Sequence, residues 1–168
     1  QYGNPSSMHQ FGSKVGAAMA QARAEVQLLL GAAHDSEIVF TSCATESNNT
    51  AILSALKVQE GRREIITSAV EHPAILALCK HLEETEGYVL HVLPVDGRGR
   101  IDLIHYESLL SERTAVVSIM WANNETGTLF PVLKMAEMAH GVGALFHTDA
   151  VQATGKTPID LKNSAIDM

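Results

Sequence analysis

Short apolar runs alternate with stretches of helical periodicity along the chain. Apolar residues recur at helical spacing from Met8 to Leu30, and Gly31 fits the position just past a helix end. Further along, apolar and β-branched runs predict strands at 37–41, 64–68, 88–95, 115–120 and 144–147. The segments between them predict helices at 46–59, 73–86, 102–111 and 132–140. Strands joined by helices favour an α/β fold with a mainly parallel sheet flanked by helices.

Composition limits the classes of protein to consider. A chain of 168 residues, 46% hydrophobic and 18% charged, is most simply one well-packed domain. The net charge of −7 and the lack of a Lys/Arg run predict no nucleic-acid partner. No apolar stretch approaches the roughly 18 residues of a membrane span. Cys43 and Cys79 lie far apart without a CxxC motif, which favours a reducing, cytoplasmic location. The chain begins at Gln1 without a signal-like segment, and we expect both ends to be cut from a longer protein.

Unusual polar residues cluster directly after the predicted strands. They fall in four groups, at 42–49, 71–73, 121–127 and 147–152. Ligands of open parallel sheets bind outside the carboxyl ends of the strands. Four strand ends with such residues therefore predict one shared site.

Asp149 carries the most specific chemical signal. It follows the apolar run Ala-Leu-Phe at 144–146, where a carboxylate has little water and needs a cationic or donor partner. Pyridoxal phosphate (PLP) chemistry requires such an acid, because it keeps the pyridine nitrogen protonated and lets the ring accept electrons. A PLP enzyme also needs a Schiff-base lysine, and the chain offers no convincing candidate.

Each group also has a purely structural interpretation. The residues at 42–45 precede a helix and either bind a phosphate or simply cap that helix. His72 is either a lid or proton carrier over a ring, or an ordinary helix N-terminal residue. Asn123 and Asn124 are turn formers, or one of them donates to a phenolate oxygen. Asp149 alone is equally a helix cap. Only the four groups together favour a site.

Rival sites fit the sequence less well. Residues 150–157 nearly match a P-loop, but Ala150 replaces the first glycine and no clear helix follows Lys156. Because of this near match, an α/β nucleotide-binding module is the alternative to a PLP enzyme. The chain has no GxGxxG for a dinucleotide. None of its eight histidines lies within five positions of another, so no metal site is predicted.

Long segments of the chain resemble a known family. They read TSCATESNNTAILSALK, VEHPAIL, MWANNETGTLFP and FHTDAVQATGKTPIDLKNS, with a family-like start at Gly3–Ser7 and His9. The resemblance is to the cysteine desulfurases, class V and fold-type I PLP enzymes, and within them to the NifS type of nitrogen-fixing bacteria. It implies release of sulfur from L-cysteine, formation of L-alanine and transfer of a persulfide to iron–sulfur cluster assembly. The implied partners are an iron–sulfur scaffold protein and, in the full-length parent, a second identical subunit.

The resemblance also implies roles for individual residues. Ala44 and Thr45 match the turn that binds the PLP phosphate. His72 matches the histidine that stacks on the pyridine ring and takes part in proton transfer. Three more positions match residues that contact the ring's polar atoms: Asn124 at the phenolic oxygen, Asp149 at the pyridine nitrogen and Gln152 at the ring oxygen.

Several functional residues of the family have no counterpart here. The Schiff-base lysine, the persulfide-bearing cysteine and the arginine for the substrate carboxylate all match positions after Met168. Lys156 matches a different family position, and neither Cys43 nor Cys79 resembles the nucleophile. Residues 1–168 are therefore predicted to be part of the large PLP-binding domain, incomplete at both ends. The alternatives are a selenocysteine lyase, or a fragment with no activity beyond folding or association.

Overall fold

The computed structural model describes residues 3–168, which divide into two compact units. The first comprises residues 3–40 and 157–163, and the second comprises 41–156 and 164–168. The second unit contains every strand of the described chain and four of its five α-helices. No helix within residues 3–168 is long and apolar enough to cross a membrane.

The first unit is built on one long helix. Helix α1 spans Gln10–Leu30 and ends at Gly31, whose φ of 61° lies in the left-handed region. A side chain at Gly31 would also collide with the returning segment, because its Cβ would lie 2.8 Å from the Cα of Asp160. Only glycine meets both conditions at low cost. The predicted helix and its glycine end are confirmed.

The predicted strand at 37–41 is wrong. Asp35–Glu37 forms a 3-10 helix, and residues 38–41 are not part of the sheet. The side chain of Arg23 donates a hydrogen bond to the Ile38 carbonyl, and its guanidinium lies 4.9 Å from the centre of the Phe40 ring. The apolar, β-branched composition favours an extended backbone, but a strand also needs a partner, and that is decided by tertiary structure.

The second unit contains a four-stranded parallel sheet. Its strands are β1 (Glu64–Ser68), β2 (Val89–Leu93), β3 (Thr114–Ser118) and β4 (Leu145–His147), in the order β2-β1-β3-β4. All three pairings are parallel. Every residue of β1 and β3 is buried, as expected for central strands covered on both faces. The predicted α/β fold class is confirmed.

Four helices flank this sheet. They are α2 (Ala44–Val58), α3 (Pro73–Glu86), α4 (Leu103–Leu109) and α5 (Val132–Gly141). Pro73 opens α3 and Asp102 caps α4 by accepting from the Ile104 amide, both as predicted. The core between α2, α3 and the central strands is apolar, with members such as Ile52, Ile65 and Val116.

Candidate active site

The loops at the carboxyl ends of β1, β3 and β4 are joined by hydrogen bonds. The Asn123 side chain donates to the Val70 carbonyl at 3.3 Å, which links the loops after β3 and β1. The Trp121 amide donates to the Asp149 carbonyl at 3.0 Å, which links the loops after β3 and β4. Three of the four predicted polar groups therefore follow neighbouring strands of one sheet. The fourth, at 42–49, follows no strand of the sheet and instead contains the start of α2.

Asp149 is buried and accepts two hydrogen bonds. It is 8% exposed, and it directly follows Thr148 after the end of β4. Its Oδ2 accepts from Asn48 Nδ2 at 2.8 Å and its Oδ1 accepts from the Val151 amide at 3.0 Å. Both carboxylate oxygens therefore have a hydrogen-bond donor, as a buried carboxylate requires. Asp149 forms no salt bridge with any residue among 3–168, so its carboxylate is available to a cationic ligand.

Asn48 brings the start of α2 to Asp149. It lies in the first turns of α2 and is buried, and its amide reaches the Asp149 carboxylate 101 residues further along the chain. Sequence reasoning missed this residue, because an asparagine inside a helix pattern carries no signal of its own. Its contact places the amino terminus of α2 beside the end of β4.

The first turn of α2 leaves donors available. Ala44 and Thr45 are its first two residues, so their amides have no acceptor within the helix. Ser42 is already occupied, because its amide and its hydroxyl both donate to Glu46 Oε2 at 2.6 Å. Thr45 is exposed, and its hydroxyl makes no hydrogen bond within the described residues. Cys43 is the N-cap residue of α2, and no side chain among the described residues caps this helix start. The Ser42 hydroxyl is used by Glu46, which leaves Thr45 open to a ligand.

His72 is fixed at the amino terminus of α3. Its Nδ1 accepts from the Ala74 amide at 3.2 Å, so the ring acts as the N-cap. A neutral ring with this acceptor carries its proton on Nε2. The structural interpretation of His72 as a helix cap is therefore correct, yet Nε2 stays available because the residue is exposed.

His72 and Asn124 line the same cleft. This cleft has a volume of about 530 Å³, and its lining includes Val70, Glu71 and Phe130 as well. Thr45, Asp149 and Gln152 are not among the described residues that line it. The six predicted residues therefore form two groups: His72 and Asn124 line the cleft, and the other four lie outside its lining. The loop after β3 connects the two groups, because it is hydrogen-bonded to both Val70 and Asp149.

The neighbouring residues Asn123 and Asn124 differ in burial and in hydrogen bonding. Asn123 is buried, and its Oδ1 accepts from the amides of Glu125 and Thr126 at 3.0 and 2.9 Å. It is the turn former that the sequence allowed. Asn124 is exposed, and its side chain makes no hydrogen bond within the described residues. Both line the cleft, but of the pair only Asn124 has a side chain without hydrogen bonds to the described protein.

Gln152 lies in the turns that follow Asp149. Its Oε1 accepts from Lys156 Nζ at 2.8 Å, which leaves its amide group as a donor. Residues 151–156 are turns, and the next helical element in the described chain is the short 3-10 helix Leu161–Asn163. A P-loop requires a helix directly after its lysine, so the structure removes the nucleotide alternative at this segment.

Glu71 was noted in the sequence only as a polar neighbour of His72. The structure buries it to 5% exposure, with Oε1 accepting from Ser68 Oγ at 2.6 Å and from the Met120 amide at 2.9 Å. Burial raises the pKa of its carboxyl to about 7, although both hydrogen bonds oppose this; Asp149 adds to the rise. In the sequence, a buried carboxyl of this kind is indicated by an acidic residue that comes directly after an apolar strand.

His147 is the other buried titratable residue beside Asp149. It ends β4, and its Nδ1 lies 2.8 Å from Ser118 Oγ. Burial lowers its pKa to about 4, while Asp149 acts in the opposite direction. The ring is therefore neutral at physiological pH.

Glu71 and His147 predict opposite dependences of stability on pH. The lowered pKa of His147 gives stability that is present above about 6.5 and lost as pH falls towards 4. The raised pKa of Glu71 gives stability that is present below about 4.5 and lost as pH rises through 7. When the pH falls from 7 to 5, the free energy of unfolding of Glu71→Gln should therefore decrease by roughly 2 kcal/mol more than that of the wild type. That of His147→Asn should decrease by less than that of the wild type. Exposed His105→Asn is the control, and equal slopes in all four proteins would contradict the assignment.

The fold and these strand-end loops define an α/β protein in which the start of a helix lies beside a buried carboxylate. The chain belongs to the aminotransferase class-V family, whose model matches residues 1–168. It is 65% identical over its whole length to the cysteine desulfurase NifS of Azotobacter vinelandii and 63% identical over 167 residues to a cysteine desulfurase of Sinorhizobium fredii. The predicted resemblance to NifS-type enzymes is confirmed.

Solved structures give the same relationship. A NifS-like protein superimposes with a TM-score of 0.92 at 41% identity, covering 99% of this chain and 46% of that one. SspA in complex with cysteine superimposes with a TM-score of 0.90 at 37% identity, covering 99% of this chain and 48% of that one. The chain spans 42% and 43% of the length of the Azotobacter and Sinorhizobium relatives.

Proposed function

We propose that this chain is part of a cysteine desulfurase that takes sulfur from L-cysteine and leaves L-alanine. The observation that carries the proposal is the 65% identity to the Azotobacter enzyme over all 168 residues. The buried Asp149 carboxylate, which has donors but no cation, supports it on physical grounds. Since the chain spans less than half of that relative, the activity belongs to the full-length protein. Residues 1–168 are then most of its large PLP-binding domain.

The residues present fit PLP. A pyridine nitrogen that must stay protonated suits the ionised, buried Asp149. A phosphate suits the amides at the start of α2, which have no acceptor within the helix, and the exposed Thr45 hydroxyl. Asn48 joins these two regions at 2.8 Å, so one ligand with a cationic end and an anionic end can meet both.

Each site residue has a role towards that cofactor. Ala44 and Thr45 bind the phosphate, and Asp149 holds the proton on the pyridine nitrogen. When bound, PLP supplies an electron sink through its protonated ring. Two amide side chains, on Asn124 and Gln152, donate to the phenolic oxygen.

His72 orients the ring and moves a proton. Its Nδ1 is held by the Ala74 amide, so Nε2 is the atom that gives or takes the proton. A ring fixed at a helix terminus keeps one orientation, which suits stacking over a flat cofactor better than a mobile side chain does.

The proposal extends to the surroundings of the enzyme. Sulfur leaves as a persulfide on a cysteine outside this segment and passes to an iron–sulfur scaffold protein, in a nitrogen-fixing cell to nitrogenase cluster assembly. The full-length enzyme is a homodimer. Cys43 and Cys79 are both free, which supports a reducing cytoplasm.

The deciding experiment is turnover by the full-length protein. Purified enzyme should bind PLP and convert L-cysteine to equal amounts of L-alanine and sulfide in the presence of a thiol reductant. A protein that binds ATP but not PLP would contradict the proposal. Faster turnover of L-selenocysteine, with little on L-cysteine, would instead favour a selenocysteine lyase.

His72 and Thr45 should separate chemistry from cofactor retention. In the full-length protein, His72→Ala should keep its PLP but lose about 10²–10⁴-fold in kcat, because a general acid–base group is gone. Thr45→Val should weaken PLP binding and recover much of its kcat when the cofactor is supplied in excess. The measurements are PLP content and kcat at saturating PLP. If His72→Ala lost PLP and turned over normally once resupplied, the two roles would be wrongly assigned.

A further inference from the structure

One carboxyl oxygen of Glu71 joins two neighbouring strand ends. Glu71 precedes His72 in the loop between β1 and α3. Its Oε1 accepts from Ser68 Oγ at the end of β1 and from the amide of Met120, two residues past the end of β3. At 2.6 and 2.9 Å these are well-formed hydrogen bonds. Removing the acceptor would leave two buried donors without a partner.

A second hydrogen bond joins the same two loops. The Asn123 side chain donates to the carbonyl of Val70, the residue before Glu71. His72 directly follows one side of this double link, and Asn124 directly follows the other. Both residues line the cleft of about 530 Å³. The spacing between His72 and Asn124 across the cleft therefore depends on the link that Glu71 makes.

A simple packing role does not account for Glu71. A buried acid is costly, and an apolar residue of similar volume packs at least as well. Its second oxygen, Oε2, is buried without a hydrogen-bond partner within residues 3–168. Two titratable groups interact electrostatically with Glu71: Asp149 after β4 and the thiol of Cys79 on α3. Burial raises the pKa of Cys79 to about 12, so this thiol is neutral. The feature of Glu71 that an apolar residue could not replace is Oε1, which accepts from both Ser68 and Met120.

We propose that Glu71 is a positioning residue of the active site, whose carboxyl oxygen fixes His72 and Asn124 at the spacing that the cofactor and substrate require. The proposal rests on the PLP-dependent function given above. In this proposal Glu71 is not a catalytic residue. Its effect reaches the chemistry through the ring of His72 and the amide of Asn124.

The test uses the full-length enzyme and three variants. Glu71→Ala removes the shared acceptor, Glu71→Gln keeps an acceptor without the acid, and exposed Glu107→Gln on α4 is the control. Glu71→Ala should lower kcat per bound PLP by about 10–100-fold, because small misplacements of catalytic groups have effects of this size. KM should change much less, and hydrogen exchange at the Met120 amide in the cofactor-free protein should accelerate. Glu71→Gln should restore most of the lost kcat and the slow exchange.

Each contrary result has a distinct meaning. Unchanged kcat per bound PLP in Glu71→Ala would overturn the positioning role, even if the melting temperature fell. Equal loss in the Gln and Ala variants would overturn it too, since the acceptor would then not be what matters. If Glu71→Ala does not fold, Ser68→Ala removes one of the two donors and should lower kcat in the same direction by less; wild-type kcat there would overturn the role. If the wild-type enzyme neither binds PLP nor forms L-alanine, the proposed function fails and the positioning role falls with it.

Discussion

Replacing Asp149 by alanine in the full-length protein should nearly abolish sulfur release from L-cysteine, whereas Asp149→Glu should retain part of it. Loss of a charge-assisted hydrogen bond in a dry site costs on the order of 1.5–3 kcal/mol. The electronic effect adds to this, because an unprotonated pyridine nitrogen is a much weaker electron sink. Glutamate keeps the charge but shifts it by one methylene, so the bond to Asn48 is strained rather than lost.

Asp149→Asn separates charge from shape at this position. It keeps a side-chain oxygen for the Val151 amide but cannot hold a proton on the pyridine nitrogen. Its activity should therefore fall nearly as far as that of the alanine variant. Asp102→Asn is a matched control, since asparagine also caps helices and Asp102 only caps α4. Near-normal turnover by Asp149→Ala, measured as alanine formed per bound PLP, would remove Asp149 from the site.

The 168-residue chain on its own should not desulfurate L-cysteine. The resemblance to the cysteine desulfurases implies that the Schiff-base lysine, the nucleophilic cysteine and the substrate-carboxylate arginine match positions beyond this segment. Groups that act as a unit fail together when key members are absent. The structure strengthens the prediction for Cys79, because this thiol is fully buried and burial raises its pKa to about 12.

The measurement compares sulfide release from L-cysteine by the purified chain plus PLP with release by PLP alone. Rates should be equal, while the full-length enzyme under the same conditions should be far faster. A clear excess from the chain would contradict the prediction. Cys43 is exposed at the start of α2, so Cys43→Ala would then show whether that thiol is responsible.

Most of the fold could be predicted because its strands and helices have strong local patterns. The runs at 64–68 and 115–118 are apolar enough for central strands, and Pro73 and Asp102 mark where helices begin. The strand predicted at 37–41 failed for the opposite reason. Its composition is that of a strand, but pairing depends on a neighbour that a local pattern cannot supply.

The sequence alone identified the candidate residues for chemistry. Thr45, His72, Asn124, Asp149 and Gln152 are polar groups at predicted strand ends and helix starts, in segments that match a known family. The tertiary structure decided how they are held. It gave Asn123 to the turn and left Asn124 free, and it brought Asn48 to Asp149 across 101 residues. It also buried Glu71 between two loops. Such contacts join positions that are remote in the chain, and burial sets their charge, so no local pattern contains them.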